Sequence, residues 1–241
     1  MTANLSAEEQ RVLDNLRRVE DAVCDACRLA GRSRDEVTLM AVTKTVSPER
    51  INVVLDAGVT CIGENRVQEY LSKRDALHLD GVERHLIGHL QTNKVKRIVG
   101  EVDMIQSVDS VHVAKAIADA SLKTAKGYTD VLVEVNIGGE ESKSGVAPDR
   151  LSDLLSEIGT FEGIRVRGLM TIPPILHTEA EKRAIFYEMH KLFIDIREKK
   201  VDNVIMEVLS MGMSSDFAQA VLEGSTLIRV GSAIFGERQY N

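Results

Sequence analysis

Short apolar runs alternate with amphipathic segments along nearly the whole chain. The runs have the length and β-branched content of strands. They lie near residues 37–43, 60–63, 84–88, 103–106, 129–137, 164–170, 204–209 and 226–230. Between them, apolar residues recur at helical spacing, as in residues 151–158 before Gly159. The pattern therefore predicts eight strands separated by helices.

A further helix is predicted before the first strand. Ser6 and Glu9 have the spacing of a capping box, in which each side chain bonds a backbone N–H of the other. Apolar residues then recur on one helical face, from Val12 to Cys27, and Gly31 suits the exit. This helix stands outside the strand–helix alternation that follows it.

Eight strands alternating with helices in about 250 residues are typical of a (β/α)₈ TIM barrel. A doubly wound open sheet is the main alternative. No linker, repeat or low-complexity tract divides the 241 residues. We therefore expect one α/β domain over residues 1–241, a barrel preceded by an N-terminal helix.

Composition and charge limit the classes of partner. The chain is 44% hydrophobic and 28% charged, with a net charge of −7. This charge gives no general attraction to nucleic acid or to an anionic membrane. No stretch approaches the ~20 apolar residues of a membrane span, and the N-terminus does not resemble a signal peptide. We expect a cytoplasmic protein without nucleic-acid or membrane partners.

The three cysteines do not predict a disulfide framework. Cys24 and Cys27 have C-x-x-C spacing, but they lie inside the predicted first helix and no second ligand pair follows. The six histidines are scattered, and His85 and His89 merely flank a short apolar run. The sequence therefore predicts no metal site.

Lys44 is the most informative candidate for chemistry. It ends the first apolar run, and Ser47-Pro48 begins a helix soon afterwards. An amine at the mouth of a buried strand is partly desolvated, which lowers its pKa and prepares it to form a Schiff base with an aldehyde. A solvated charge at a strand end is the other interpretation.

Two later segments have the composition of a phosphate site. Gly212 precedes Ser214-Ser215-Asp216, which is predicted to open a helix, and Gly231-Ser232 directly follows the eighth strand. Helix starts present free N–H groups, and the loops after strands seven and eight are the usual phosphate position in barrels. Ordinary helix capping would use the same residues without a ligand.

Arg229 lies at the tip of the eighth strand and is predicted to point into the barrel mouth. A guanidinium can only donate hydrogen bonds, so a pyridine nitrogen facing it would stay unprotonated. That arrangement would weaken the ring as an electron sink. A salt bridge between Arg229 and Glu207 is the alternative from spacing alone.

Seven segments, in order and in spacing, resemble the YggS/PROSC family of pyridoxal phosphate homeostasis proteins, which is related to the N-terminal barrel of alanine racemase. The resemblance runs from about residue 10 to residue 240. The segments are Ala41–Lys44, Gly63–Asn65, His85–Lys94, Ser142–Gly145, Arg167–Pro173, Leu209–Ser214 and Arg229–Gly236.

The resemblance implies a modified TIM barrel of the alanine racemase type that binds pyridoxal 5′-phosphate (PLP). By position, Lys44 would form the Schiff base, Asn65 would lie beside the ring, and Met213 would line the pocket. The phosphate would be held by Ser214, Gly231 and Ser232, and Arg229 would face the pyridine nitrogen. Lys143 matches a second family lysine that could accept the aldehyde. Many members have threonine at the position of Ser232, which keeps the hydroxyl.

The resemblance implies a PLP carrier that keeps the free aldehyde low and passes the cofactor to apo forms of PLP enzymes. The alternative is a PLP-dependent amino acid racemase or a related enzyme of the same fold type. Racemisation needs two bases on opposite faces of the substrate carbon. The chain ends just after the predicted barrel, and none of its four tyrosines lies in a strand-end motif. We therefore expect a non-catalytic protein. We also expect a monomer, although the lack of a long apolar surface stripe leaves a weak dimer as the alternative.

Overall fold

Eight parallel strands form a closed barrel in the computed structural model, which describes residues 5–140, 143–175 and 177–237. Each strand pairs with its neighbour in sequence, and the first closes on the eighth. The strands are β1 (Thr38–Val42), β2 (Cys61–Glu64), β3 (Glu83–Leu86), β4 (Met104–Val108), β5 (Thr129–Glu134), β6 (Ile164–Met170), β7 (Val204–Met213) and β8 (Leu227–Val230). The barrel prediction is confirmed, and the open sheet is excluded because β1 and β8 pair.

Helices connect the strands and cover the outside of the barrel. The described helices are α1 (Ala7–Leu29), α2 (Pro48–Asp56), α3 (Val67–Lys73), α4 (Val95–Ile98), α5 (Val111–Ser121), α6 (Leu151–Ile158), α7 (Glu179–Lys199), α8 (Phe217–Leu222) and α9 (Ser232–Phe235). The predicted capping box of α1 is present, since Ser6 and Glu9 bond each other's backbone N–H groups. None of the described helices has the length and apolar character needed to cross a bilayer.

The apolar core lies in two layers, which follow from the alternation of side chains along each strand. Outward-facing residues such as Ile62 and Leu209 pack beneath the helices. A smaller cluster of Met40, Val42 and Cys61, together with Ile87 and Leu227, forms a separate layer. The strand alternation places this smaller cluster inside the barrel.

Strand β7 is longer than the sequence predicts, because residues 210–213 continue the strand instead of forming a loop. The pairing shifts register between Ser210 and Met213, so Met213 comes opposite Arg229 of β8. A second irregularity lies at Gly168 of β6, whose φ is 152°. A Cβ there would lie 1.8 Å from the carbonyl oxygen of Val208, so only glycine fits. These shifts set which β7 side chains face the barrel interior.

Candidate functional site

Lys44 lies at the carboxyl end of β1, partly buried. It follows Val42 by two residues, so the strand alternation carries it to the same side as the inner cluster. Together with Val42, Gly231 and Ser232 it lines a cavity of about 390 Å³, to which α1 also contributes residues. The barrel therefore brings the candidate amine and the loop after β8 into one cavity.

Ser214 joins the loop after β7 to the loop after β8. Its Oγ accepts the backbone N–H groups of Gly231 at 3.1 Å and Ala233 at 3.2 Å. Two main-chain donors thus converge on one oxygen position, and the serine hydroxyl itself can donate a further hydrogen bond. Convergent N–H and O–H donors are the chemistry that a phosphate requires.

The helix after β7 begins later than predicted. Asp216 is the residue before α8, and its side chain forms no N-terminal cap. Its Oδ1 instead accepts the N–H of Met213 at 2.6 Å, while its own N–H donates to the carbonyl of Met213. The segment Ser214–Asp216, predicted to open a helix, does lead into α8, but Ser214 and Ser215 form a turn and the helix begins only after Asp216.

Arg229 is buried inside the barrel, as its alternating position predicts. Its guanidinium donates to Ser210 Oγ at 2.6 Å and to the carbonyl of Thr171 at 2.7 Å. Desolvation lowers its pKa to about 10, and the nearby Glu134 opposes this shift. The alternative salt bridge to Glu207 is absent from the described contacts of Arg229, because Glu207 pairs with Arg167.

Glu134 is a titratable group inside the same barrel end. Burial raises its pKa to about 7, with a further contribution from Asp109, whereas the positive charge of Arg229 acts in the opposite sense. Near neutral pH this carboxyl is therefore partly protonated. An acid inside an apolar run, as Glu134 is in the sequence, is the signal by which such a buried carboxyl can be predicted.

Asn65 follows β2 by one residue and is partly buried. Its Oδ1 is buried and accepts no hydrogen bond from any described residue. Gly88 packs so closely that a Cβ there would lie 2.2 Å from the carbonyl oxygen of Asn65. The backbone of Asn65 is thus fixed by packing. Its side-chain oxygen is an unsatisfied acceptor to which a ligand could donate a hydrogen bond.

Lys143 lies in the loop between β5 and α6, and the preceding Ser142 is outside the described residues. The Nζ of Lys143 lies 3.0 Å from both a carboxylate oxygen of Glu140 and the carbonyl of Pro173. Lys143 is not among the described residues that line the cavity of Lys44. The two lysines therefore occupy different settings.

A buried ion pair that the sequence pattern does not predict lies close to Lys44. Glu64 and Lys73 are both buried and form a salt bridge. Glu64 also accepts from Thr43 Oγ1 at 2.7 Å, and Lys73 donates to the carbonyl of Thr43 at 2.7 Å. Desolvation raises the pKa of Glu64, although Lys73 acts against this shift. The pair fixes the residue that directly precedes Lys44.

The backbone immediately after Lys44 is strained. Thr45 has a φ of 63°, in the left-handed region that costs a non-glycine residue about 1 kcal/mol. Its N–H donates to the carboxylate of Glu69, which also pairs with Lys73. Strain of this kind is concentrated at functional sites, where neighbouring contacts hold it in place.

Comparison with known proteins identifies the family. Residues 21–239 match the family model "Alanine racemase, N-terminal domain". The pyridoxal phosphate homeostasis protein of Aquifex aeolicus is 42% identical over 227 residues, which are 94% of this chain and 98% of that protein. The chain belongs to the family of pyridoxal phosphate homeostasis proteins. The Escherichia coli member is 34% identical over 233 residues, covering 95% of this chain and 98% of that protein.

Solved structures agree with the family assignment. PipY of Synechococcus elongatus, solved with PLP bound, superposes with a TM-score of 0.78 at 32% identity, covering 89% of this chain and all of PipY. Alanine racemase of Corynebacterium glutamicum has a TM-score of 0.65 at 16% identity, covering 91% of this chain and 62% of the racemase. The second likeness shows a shared barrel fold and nothing about shared catalysis.

Proposed function

We propose that this homeostasis-family protein binds PLP reversibly through Lys44 and acts as an intracellular carrier of the cofactor. One observation carries the proposal. Lys44 shares a cavity with Gly231 and Ser232, and the N–H of Gly231 points to Ser214. A primary amine and a set of phosphate-type donors therefore lie at one end of the barrel. The PLP bound to PipY, a relative at 32% identity, supports the same ligand here.

Each residue of the site would bind a different part of PLP. Bound PLP supplies an aldehyde, which condenses with a primary amine. Lys44 provides the amine, while Ser214, Gly231 and Ser232 provide donors for the phosphate. The Oδ1 of Asn65 is an unsatisfied acceptor for a ring substituent, and Met213 would supply apolar surface to the pocket. Lys143 offers a second amine outside this cavity for transient acceptance of the aldehyde.

Arg229 favours binding over catalysis. A guanidinium donates hydrogen bonds and accepts none, so it cannot accept a hydrogen bond from a protonated pyridine nitrogen. The side chain is fixed inside the barrel by Ser210 and the carbonyl of Thr171. Facing the ring nitrogen, it would hold that nitrogen unprotonated and leave the ring a weak electron sink.

The described tyrosines give no second base for racemisation. Tyr70 donates its hydroxyl to the carbonyl of Glu101, and Tyr128 packs against Arg165 and Lys126. Tyr187 is exposed on α7, and Tyr240 lies outside the described residues. A missing acid–base partner costs about 10²–10⁴ in rate. These placements support a non-catalytic role for the chain.

The proposal extends to partners and location. The carrier would act as a cytoplasmic monomer and deliver PLP to apo forms of PLP-dependent enzymes. Reversible attachment suits such a role, because hydrolysis by water would return both the amine of Lys44 and the aldehyde unchanged. Holding the aldehyde on the protein keeps it away from other cellular amines.

Transfer to an apoenzyme tests the proposal. The PLP-loaded protein is mixed with an apo-aminotransferase, and recovery of its activity is compared with that from free PLP at equal concentration, with a PLP-trapping amine present. We expect recovery from the loaded protein to resist the trap. Recovery that the trap suppresses as strongly as it does for free PLP would contradict delivery.

A racemisation assay tests the alternative function. Loaded protein and free PLP are each incubated with common L-amino acids, and chiral chromatography measures the D-isomer. We expect no rate above that of free PLP. Turnover of any one amino acid, abolished by Lys44→Ala or by Glu134→Gln, would replace the carrier with an enzyme.

A further inference from the structure

Three side chains of metal-ligand type meet at the amino-terminal end of the barrel, opposite the cavity of Lys44. They are Cys61 of β2 and Glu83 and His85 of β3, and their ligand atoms all lie within 4.8 Å of one another. Cys61 and Glu83 are register partners, and His85 follows Glu83 on the same face. The sequence predicted no metal site, because Cys61 and His85 are far apart along the chain. They become neighbours only through the pairing of β2 with β3.

His85 carries an unsatisfied atom that points into this cluster. Its side chain is only 2% exposed, and its Nε2 is buried with no hydrogen bond to any described residue. The nearest carboxylate oxygen, Oε2 of Glu83, lies 3.4 Å away. That spacing is long for a hydrogen bond, but two ligand atoms about 2.1 Å from a tetrahedral Zn²⁺ lie about 3.4 Å apart.

We propose that Cys61, Glu83 and His85 bind a divalent transition-metal ion, with Zn²⁺ as the best match, and that water completes the coordination. A thiolate, an imidazole and a carboxylate form a borderline-soft donor set that suits Zn²⁺ better than Mg²⁺ or Ca²⁺. On binding, the S–H bond of Cys61 is replaced by an S–metal bond, and the proton leaves to solvent. This site is separate from the proposed PLP site and does not depend on it.

A path for the ion is open at this end of the barrel. The side chain of Glu83 is 65% exposed, so it can bind an ion from solvent before the two buried ligands do. Glu83 and His85 border a cavity of about 460 Å³. The described cations on its wall, Arg167 and Lys126, are paired with acids. Positive charge therefore does not oppose entry of a cation.

Gln106 would position His85 for binding. Its Nε2 lies 2.8 Å from Nδ1 of His85, while its Oε1 accepts from Ser210 Oγ at 2.7 Å. A metal on Nε2 of His85 leaves the ring proton on Nδ1, and the Gln106 amide must then reverse to accept it. Because Ser210 also accepts from Arg229, this reversal would reach the opposite end of the barrel.

Metal binding by the full-length protein tests the proposal. Apo protein without PLP is titrated with Co²⁺, followed by absorption, and Zn²⁺ affinity is measured by competition with a chromophoric chelator. We expect one equivalent of Co²⁺ to give a thiolate charge-transfer band, which Zn²⁺ displaces. Absence of that band in the wild-type protein at Co²⁺ in large excess, or failure of the protein to compete with the chelator for Zn²⁺, would overturn the site.

Variants distinguish this site from adventitious binding. Cys61→Ser and Glu83→Gln should each weaken Zn²⁺ binding by about tenfold or more, whereas Cys24→Ser, which removes an exposed thiol on α1, should leave it unchanged. Cys61 is buried, so its substitution can also disturb the packing of the core. Glu83 is exposed, and Glu83→Gln therefore tests metal binding without that effect. Zn²⁺ affinity unchanged in Glu83→Gln, or lost equally in Cys24→Ser, would refute the assignment.

Discussion

The N–H of Gly231 donates to the Oγ of Ser214 at 3.1 Å and so ties the loop after β8 to the loop after β7. These residues are separated by α8 in the chain and meet only because β7 and β8 are neighbours in the barrel. The donor set of the proposed phosphate site is thus assembled from two loops. Its individual residues look like ordinary turn and capping residues in the sequence.

Ser214→Ala should weaken PLP binding, because the variant loses the hydroxyl that joins the two loops. A hydrogen bond to a charged group contributes about 1.5 kcal/mol or more, which corresponds to at least about a tenfold increase in the dissociation constant. Fluorescence or absorption titration measures this constant. The matched control is Ser215→Ala, since Ser215 is exposed and its hydroxyl bonds only Asp216 among the described residues. Equal effects of the two changes would contradict the assignment.

Lys44→Ala should abolish covalent attachment of PLP and its visible absorption band. Borohydride reduction of the wild-type protein, followed by peptide mass mapping, should place the label at Lys44. Lys143→Ala is the control and should keep the label at Lys44, because Lys143 lies in the β5–α6 loop, held by Glu140 and Pro173. A label that maps chiefly to another lysine in the wild-type protein would disprove the role of Lys44.

Arg229→Gln should change the absorption spectrum of bound PLP and its dependence on pH. The glutamine keeps a donor for Ser210 but removes the positive charge, so the proposed nitrogen contact would no longer resist protonation. Arg167→Gln, which breaks the pairing with Glu207 instead, provides the control. Superimposable spectra for Arg229→Gln and the wild-type protein would show that Arg229 does not contact the ring nitrogen.

Glu134 should make the protein less stable as the pH rises towards neutrality. Its pKa is raised from 4.5 to about 7 in the folded state, so between these values the folded state holds more protons than the unfolded state. The free energy of unfolding therefore falls over this interval, by on the order of 3 kcal/mol, and levels off above it. Urea denaturation at several pH values measures the slope.

Glu134→Gln should remove this component of the pH dependence, because the amide does not titrate. Glu188→Gln, a change at an exposed position of α7, should leave the slope as it is in the wild-type protein. A slope that survives in Glu134→Gln would assign the titration to another group.

The buried pair of Glu64 and Lys73 should show strong energetic coupling. Lys73→Met leaves the carboxylate of Glu64 buried without its cation, and such a change costs about 3 kcal/mol or more. The double variant Glu64→Gln/Lys73→Met should lose less stability than the sum of the two single changes. Urea denaturation of the four proteins gives the coupling. Additive losses would mean that the pair does not act as a unit.

Local sequence patterns determined the eight strands, the capped first helix and the position of Lys44 at a strand end. These features depend on side-chain alternation and on capping residues a few positions apart, so neighbouring residues encode them. The same alternation correctly placed Arg229 inside the barrel. Where the pattern was locally ambiguous, as at Ser210–Met213, the predicted strand ended too early.

Only the tertiary structure decided which of these residues meet. Arg229 bonds Ser210 and Thr171 rather than Glu207, Lys73 pairs with Glu64, and Cys61 lies beside His85. Each contact joins different strands or a strand and a helix. Such contacts depend on the register between strands, including the shift in β7, and on closure of β1 against β8. The spacing of apolar residues along the chain does not specify these contacts, because pairing between strands is set by packing of the whole barrel.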